Sequence, residues 1–226
     1  MSIDAVLSLA GATANPAPSP IPQRIGGFGG AAGLAVYLRA ERIDAVVDAT
    51  HPFAARMSAN AMAACRATAT PLVVFTRPPW TPQEGDRWIE VATMEEAVDA
   101  LGAFRKTVFL TQGRLQLAAF ARAPQHRYVV RAIDPPAEAK ALADCRLILT
   151  RGPFALEDEL ALMRVERVEI LVTKNSGGRA TYAKIEAARM LGVDVVVVRR
   201  PEPPDAETLS DLDSVIAWIA AHRGAP

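Results

Sequence analysis

The chain has 226 residues, half of them hydrophobic and 22% charged, enough apolar material for one large or two small folded domains. Lys plus Arg and Asp plus Glu are equal at 25 each, so no basic excess marks a nucleic-acid-binding surface. No basic segment followed by an apolar run opens the chain, and no stretch reaches the roughly 18 apolar residues of a membrane helix; the expected location is the cytoplasm, with no membrane partner.

In chain order, the expected strands cover 5–9, 45–47, 72–76, 88–91, 107–110, 128–132, 147–150, 169–173 and 193–198. Helical patterns lie between and after them, at 31–40, 54–67, 94–101, 115–121, 155–164, 181–191 and 211–222. The strands are rich in Val, Ile and Leu and mostly lack alternation, as strands covered on both faces do. Strand followed by helix, repeated, implies βαβ units and an α/β fold with mainly parallel sheets. These strands fit two sheets better than one. The expectation is two Rossmann-like domains, 1–104 and 105–226, with their polar strand ends facing an interdomain cleft. Proline clusters at 16–22, 78–82, 135–136 and 201–204 stiffen loops after strands. The last helix, carrying Val215, Ile216, Trp218 and Ile219, is expected to pack on the second sheet. Cys65 and Cys145 lie far apart in apolar contexts and read as buried free thiols.

Six junctions carry polar chemistry. The first is Arg24-Ile25-Gly26-Gly27-Phe28-Gly29-Gly30, which opens a helix. Glycines there let the backbone approach an anion, and free N–H groups favour phosphate or carboxylate, although the G-x-G-x-x-G spacing is absent. The second is Asp48-Ala49-Thr50-His51-Pro52-Phe53-Ala54, where an apolar strand ends in a carboxylate, a hydroxyl and an imidazole. Ligands of open α/β folds bind beyond the carboxyl ends of strands, and an imidazole titrates near neutrality. Thr50 or Ser58 is placed to cap the following helix or to hydrogen-bond locally, and Pro52 suits a helix start. A histidine satisfied by its own backbone fits the pattern equally well.

The third junction ends in Arg77 before Pro78-Pro79-Trp80, a guanidinium suited to carboxylates or an ordinary surface arginine. The fourth is Thr111-Gln112-Gly113-Arg114 and the fifth is Arg151-Gly152-Pro153-Phe154. The sixth, Lys174-Asn175-Ser176-Gly177-Gly178, leads to Tyr182 and Lys184 on the next helix and unites an amine, an amide, a hydroxyl and two glycines. That inventory suits an anion better than packing alone. The three histidines are scattered and no metal-ligand spacing is visible.

Taken in order, 24–30 with Leu34, 48–54 with Met57 and Asn60, 77–80, 111–114, 151–154 with Glu159, and 174–178 resemble the precorrin-6A reductases of cobalamin biosynthesis. Asp-Ala-Thr-His-Pro-Phe-Ala and Lys-Asn-Ser-Gly-Gly are the most distinctive of these segments. The resemblance implies reduction of one carbon–carbon double bond of the precorrin-6A macrocycle to give precorrin-6B. The hydride would come from NADPH, or NADH in some relatives, with no flavin and no metal.

Site residues follow from the same resemblance. His51, Lys174 and Tyr182 are the candidate catalytic groups. Thr111, Gly113, Arg114, Asn175, Ser176, Gly177 and Gly178 are expected at the cofactor. Arg24, Gly26, Gly27, Phe28, Gly29, Asp48, Thr50, Pro52, Phe53, Arg77 and Arg151 are expected at the corrinoid, a small molecule bearing many carboxylates. Family members usually open with a strand, a glycine turn and a helix, whereas Met1-Ser2-Ile3-Asp4-Ala5-Val6 looks like their second strand. The first domain is therefore expected to lack its first strand and helix. Two other readings fit the residues: a non-catalytic tetrapyrrole- or nucleotide-binding protein of the same fold, and a two-domain nucleotide-sugar transferase. Oligomeric state leaves no mark on the sequence.

Overall fold

A run of Val, Ile and Leu becomes a buried strand only where neighbours cover both edges and helices cover both faces. The computed structural model describes residues 3–11, 18–111, 113–203 and 205–222. Pro16, Gln112 and Pro204 fall outside these, as do the side chains of Arg114 and Leu115. The chain divides into two units, Arg77–Pro201 and Met1–Thr76 with Glu202–Pro226.

In the Arg77–Pro201 unit the strands are β5 (Trp88–Val91), β6 (Thr107–Leu110), β7 (Arg127–Ala132), β8 (Cys145–Leu149), β9 (Ile170–Lys174) and β10 (Asp194–Val198). They form one six-stranded sheet in the order β5-β10-β9-β6-β7-β8. Every pairing in it is parallel, as expected of an α/β fold. From β6 the chain winds one way through β7 to β8, then crosses to β9 and winds the other way to β10. The direction therefore reverses between β6 and β9. Helices α3 (Met94–Asp99), α4 (Leu156–Glu166) and α5 (Ala183–Leu191) provide crossovers. Trp80, Phe109, Met163, Leu171, Ile185 and Val197 belong to the core beneath them.

One crossover departs from the expected α-helix. Residues Arg114–Arg122 form a 3-10 helix. Leu117, Phe120 and Ala123 are all buried. In a three-residue turn, positions three apart eclipse on one face, so this spacing fits the tighter helix.

In the other unit, β1 (Leu7–Leu9) pairs with β2 (Gln23–Ile25), and β3 (Val46–Asp48) and β4 (Leu72–Phe75) are joined by β11 (Thr208–Leu209) in the order β11-β4-β3. All these pairings are parallel too. Helices α1 (Ala31–Ala40) and α2 (Ala55–Thr68) pack together through Ala35, Leu38, Ala64 and Cys65.

Two expectations change here. The division falls at 76/77 and 201/202 rather than at 104/105, because β5 pairs with β10, Val195 opposite Trp88. The last helix, α6 (Leu212–Ala221), belongs to the unit of β3 and β4 and not to the second sheet. Pairing of Thr208 with Val74 returns the chain there before α6 begins. Asp211 caps α6 by accepting from the Ser214 N–H at 2.8 Å, and the Trp218 indole N–H donates to Glu207 at 2.8 Å.

Candidate active site

In a doubly wound sheet, the loops leaving two neighbouring strands in opposite directions part from each other and leave a crevice at the strands' carboxyl ends. In the six-stranded sheet that point lies between β6 and β9. Two predicted junctions emerge from it: Thr111–Arg114 after β6, and Asn175–Gly178 after β9. Both the Thr111 N–H and its hydroxyl donate to the Val172 carbonyl, at 3.3 and 3.2 Å, tying the β6 exit to β9. Gly113 is the residue before the 3-10 helix, and no side chain caps that N-terminus.

The loop after β9 is braced from several sides. Lys174 ends the strand half-buried, and burial lowers its ammonium pKa. The Lys174 carbonyl accepts from the Ser176 N–H at 2.7 Å. Asn175 is buried; its Oδ1 accepts from the Trp80 N–H at 2.8 Å and its Nδ2 donates to the Trp80 carbonyl at 2.9 Å. The Trp80 indole N–H donates to the Gly178 carbonyl at 2.8 Å. Gly177 and Gly178 have φ of 66° and 72°, the left-handed region that a side chain disfavours. A Cβ on Gly177 would overlap the Pro78 carbonyl oxygen and Arg200, and one on Gly178 would press on the Arg77 side chain.

Arg200 draws these two segments together. Its Nε donates to the Asn175 carbonyl at 2.8 Å, one terminal nitrogen to Arg77 at 2.7 Å and the other to Ser176 at 3.0 Å. Burial, and then the charge of Arg77, lower its pKa. No sequence pattern marked Arg200; its partner Arg77 lies 123 positions away.

Tyr182, the residue before α5, sits in a packed network. Its ring lies 5.9 Å from Trp80, and its hydroxyl accepts from Arg189, which also holds Asp86 at 2.9 Å. Below the sheet end, Arg131 pairs with Glu159 at 2.6 Å and stacks on Phe154 at 3.7 Å. Glu159 Oε2 is buried with no hydrogen-bond partner among the described residues. Lys184 is buried near this pair, and its pKa is lowered to about 7 by burial and then by Arg131, with Glu159 opposing. Arg151 is exposed in the loop between β8 and α4.

The other unit carries the remaining predicted junctions, at β3 and α1. Asp48 ends β3 buried; Oδ1 accepts from the Thr50 N–H at 3.0 Å, whereas Oδ2 is buried without a partner among the described residues. The Thr50 hydroxyl lies 3.3 Å from that of Ser58. Neither hydroxyl caps α2, whose first residue is Ala55 and whose preceding residue, Ala54, offers no side-chain cap. His51 is exposed, and its Nδ1 accepts from the Phe53 N–H at 3.3 Å, which leaves the proton of a neutral ring on Nε2. Pro52 and Phe53 are half-buried in the same turn, with the Phe53 ring 5.8 Å from the imidazole.

In the glycine loop, Arg24 donates to the Gly26 carbonyl, and at 3.0 Å to that of Gly27, while its guanidinium lies 3.8 Å over the Phe28 ring. Gly26, Gly29 and Gly30 all have positive φ, and a Cβ on Gly26, Gly27 or Gly29 would meet open space. Gly33 differs: a Cβ there would overlap the Phe28 carbonyl oxygen. The loop folds back on the first turn of α1 only because Gly33 has no side chain, a contact invisible in the loop's own sequence.

The model of the family described as precorrin-6x reductase CbiJ/CobK matches residues 1–220. The chain belongs to this family. It is 50% identical over 223 residues to a precorrin-6A reductase of Sinorhizobium sp, covering 99% of this chain and 85% of the relative. It is 46% identical to a precorrin-6A reductase of Rhodobacter capsulatus, covering 99% and 89%. A cobalt-precorrin-6A reductase of Priestia megaterium is 29% identical over 80% of this chain and 74% of its own. A solved CobK precorrin-6A reductase superposes with a TM-score of 0.93 at 46% identity, covering 98% of this chain and 88% of that one. The fold and family expected from the motifs are thus shown. Among the described residues, no helix is long and apolar enough to cross a membrane, and no cluster of three His, Cys, Asp or Glu side chains is placed to hold a metal.

Proposed function

We propose that the chain is a precorrin-6A reductase: it reduces one carbon–carbon double bond of the macrocycle to give precorrin-6B, with NADPH as reductant. Membership of the CbiJ/CobK family supports the reaction. The observation that carries the cofactor reading is the reversal of the six-stranded sheet between β6 and β9, with both predicted cofactor junctions leaving that point.

The residues present fit a dinucleotide. Gly177 is buried, yet its N–H has no acceptor among the described residues, and a buried amide without a partner calls for one from a ligand or water. No carboxylate pairs with Arg77 or Arg200 among the described residues, so their charge is available to an anion. Thr111, Gly113, Arg114 and Asn175–Gly178 would hold the cofactor's phosphates and ribose. When bound, its nicotinamide supplies the hydride.

The chain's own groups orient and protonate. Burial eases loss of a proton from Lys174 Nζ, which suits it to donate that proton as electrons enter the conjugated ring. His51 Nε2–H serves as a second donor or orients the macrocycle. Tyr182, held by Arg189 and Trp80, orients rather than moves. Arg77 and Arg151 suit substrate carboxylates. Arg24 acts through the carbonyls of Gly26 and Gly27, leaving the loop amides to the substrate. Asp48 Oδ2, buried and without a partner among the described residues, is an acceptor for a macrocycle N–H or amide.

The test is anaerobic incubation of the purified chain with precorrin-6A and NADPH, following reduced-nicotinamide absorbance and the corrinoid spectrum together. Stoichiometric consumption of both is expected, with NADH the weaker reductant. Tight binding of both partners without consumption would instead identify a binding protein.

A further inference from the structure

Around the loop after β9, three carbonyls converge on one guanidinium. Arg200 reaches Arg77, Asn175 and Ser176 through its three nitrogens, at 2.7, 2.8 and 3.0 Å. A trans peptide points its C=O and the following N–H in opposite directions. Drawing the Ser176 carbonyl onto Arg200 therefore turns the Gly177 N–H to the other side of the loop. The Gly178 carbonyl is held in its turn by the Trp80 indole, at 2.8 Å. The amides of Gly177 and Gly178 have no acceptor among the described residues. Arg200 thus engages the carbonyl of the Ser176–Gly177 peptide, and the N–H of that peptide is left on the opposite side with no acceptor among the described residues.

The same device occurs in the glycine loop before α1. Arg24 gathers the carbonyls of Gly26 and Gly27, and the amides of Gly27 and Phe28 have no acceptor among the described residues. Both loops thus pair glycines with an arginine spent on carbonyls, not on a carboxylate.

We propose that Arg200 is the positioning residue of the cofactor site: by clamping the carbonyls of Arg77, Asn175 and Ser176, it orients the Gly177 amide as a preformed donor to a phosphate of the nicotinamide cofactor. This rests on the reading of that loop as the cofactor site. The role belongs to the forked shape of the guanidinium and not to its charge alone, because an ammonium is a point donor that cannot span three carbonyls in one plane.

The experiment compares wild type with Arg200→Lys and Arg200→Gln. Measurements are the NADPH dissociation constant by fluorescence, KM for each substrate, the melting temperature, and amide exchange of the 174–178 loop with and without NADPH. Expected for Arg200→Lys, with the charge kept, is a rise of about tenfold or more in the NADPH dissociation constant and KM. The precorrin-6A KM should stay close to wild type, and kcat at saturating NADPH should fall less than KM rises. A purely structural role would lower the melting temperature without this split between substrates. Unaltered NADPH affinity in Arg200→Lys, with loop amides still protected by NADPH, overturns the proposal and leaves the site reading standing. No protection of the loop amides in NADPH-saturated wild type overturns both. Should neither variant fold, wild-type exchange decides: NADPH must protect the Gly177 amide, and an unprotected Gly177 overturns the proposal.

Discussion

Asn175 closes both groups of its side-chain amide on the main chain of Trp80, accepting from the N–H at 2.8 Å and donating to the carbonyl at 2.9 Å. The side chain acts as a one-residue strand partner, locking the 77–80 segment to the loop after β9. Replacing Asn175 by Ala leaves the Trp80 N–H and carbonyl without these partners, at a cost of about 2–4 kcal/mol. Urea unfolding should show this loss, and NADPH affinity should fall with it. Asn175→Asp keeps the acceptor but loses the donor, and should be destabilised as well.

Asp48 carries a buried oxygen with no partner among the described residues, which stability alone does not select. Asp48→Asn keeps an acceptor for the Thr50 N–H and removes the buried charge. The expected outcome is an unchanged or higher melting temperature together with a fall of about tenfold or more in kcat/KM for precorrin-6A, as at sites that give up stability for function. Undiminished turnover would remove Asp48 from the substrate site.

At Gly33 two effects compete. Alanine improves helix propensity by about 1 kcal/mol over glycine. Its Cβ, however, would overlap the Phe28 carbonyl oxygen, and overpacking against backbone costs about 1–3 kcal/mol. The clash wins, so Gly33→Ala should displace the 26–30 loop. Steady-state kinetics should show a raised KM for precorrin-6A, while calorimetry finds NADPH binding unchanged.

Two buried bases shape the stability profile, His126 on the acid side and Lys184 above neutrality. His126 is fully buried, its Nδ1 accepts from the Lys106 N–H at 3.2 Å, and burial lowers its pKa below 6.5. The unfolded chain therefore takes up the proton first, and stability falls as pH drops through 6.5 toward the folded value. Lys184 titrates near 7 when folded and at 10.5 when unfolded, so its contribution rises with pH between those values and is at its worst below 7. Urea midpoints across pH should show both slopes. His126→Gln should flatten the acid limb, and Lys184→Met the one above neutrality.

Local sequence determined much of the chain's function. Runs of Ile, Leu and Val mark β9 and β10 because strands covered on both faces must be largely apolar. Asp48–Ala54 and Lys174–Gly178 stand out because carboxylate, imidazole, amine and glycine have no packing reason to cluster where a strand ends. These motifs sufficed for the family. Strands β2 and β11 were missed because Gln23-Arg24-Ile25 and Thr208-Leu209 carry no apolar run.

What only the tertiary structure decided is order and partnership. Periodicity says that a segment is a strand, but neighbours are chosen by ladder pairing across long separations. Thr208 opposite Val74 sends α6 back to the first unit, and the reversal between β6 and β9 exists only once six strands are ordered. Arg200 looked like one more basic residue before a proline cluster. Its role became visible when folding brought it to the carbonyl of Arg77, because a guanidinium is defined by the acceptors around it, and here those come from distant turns of the chain.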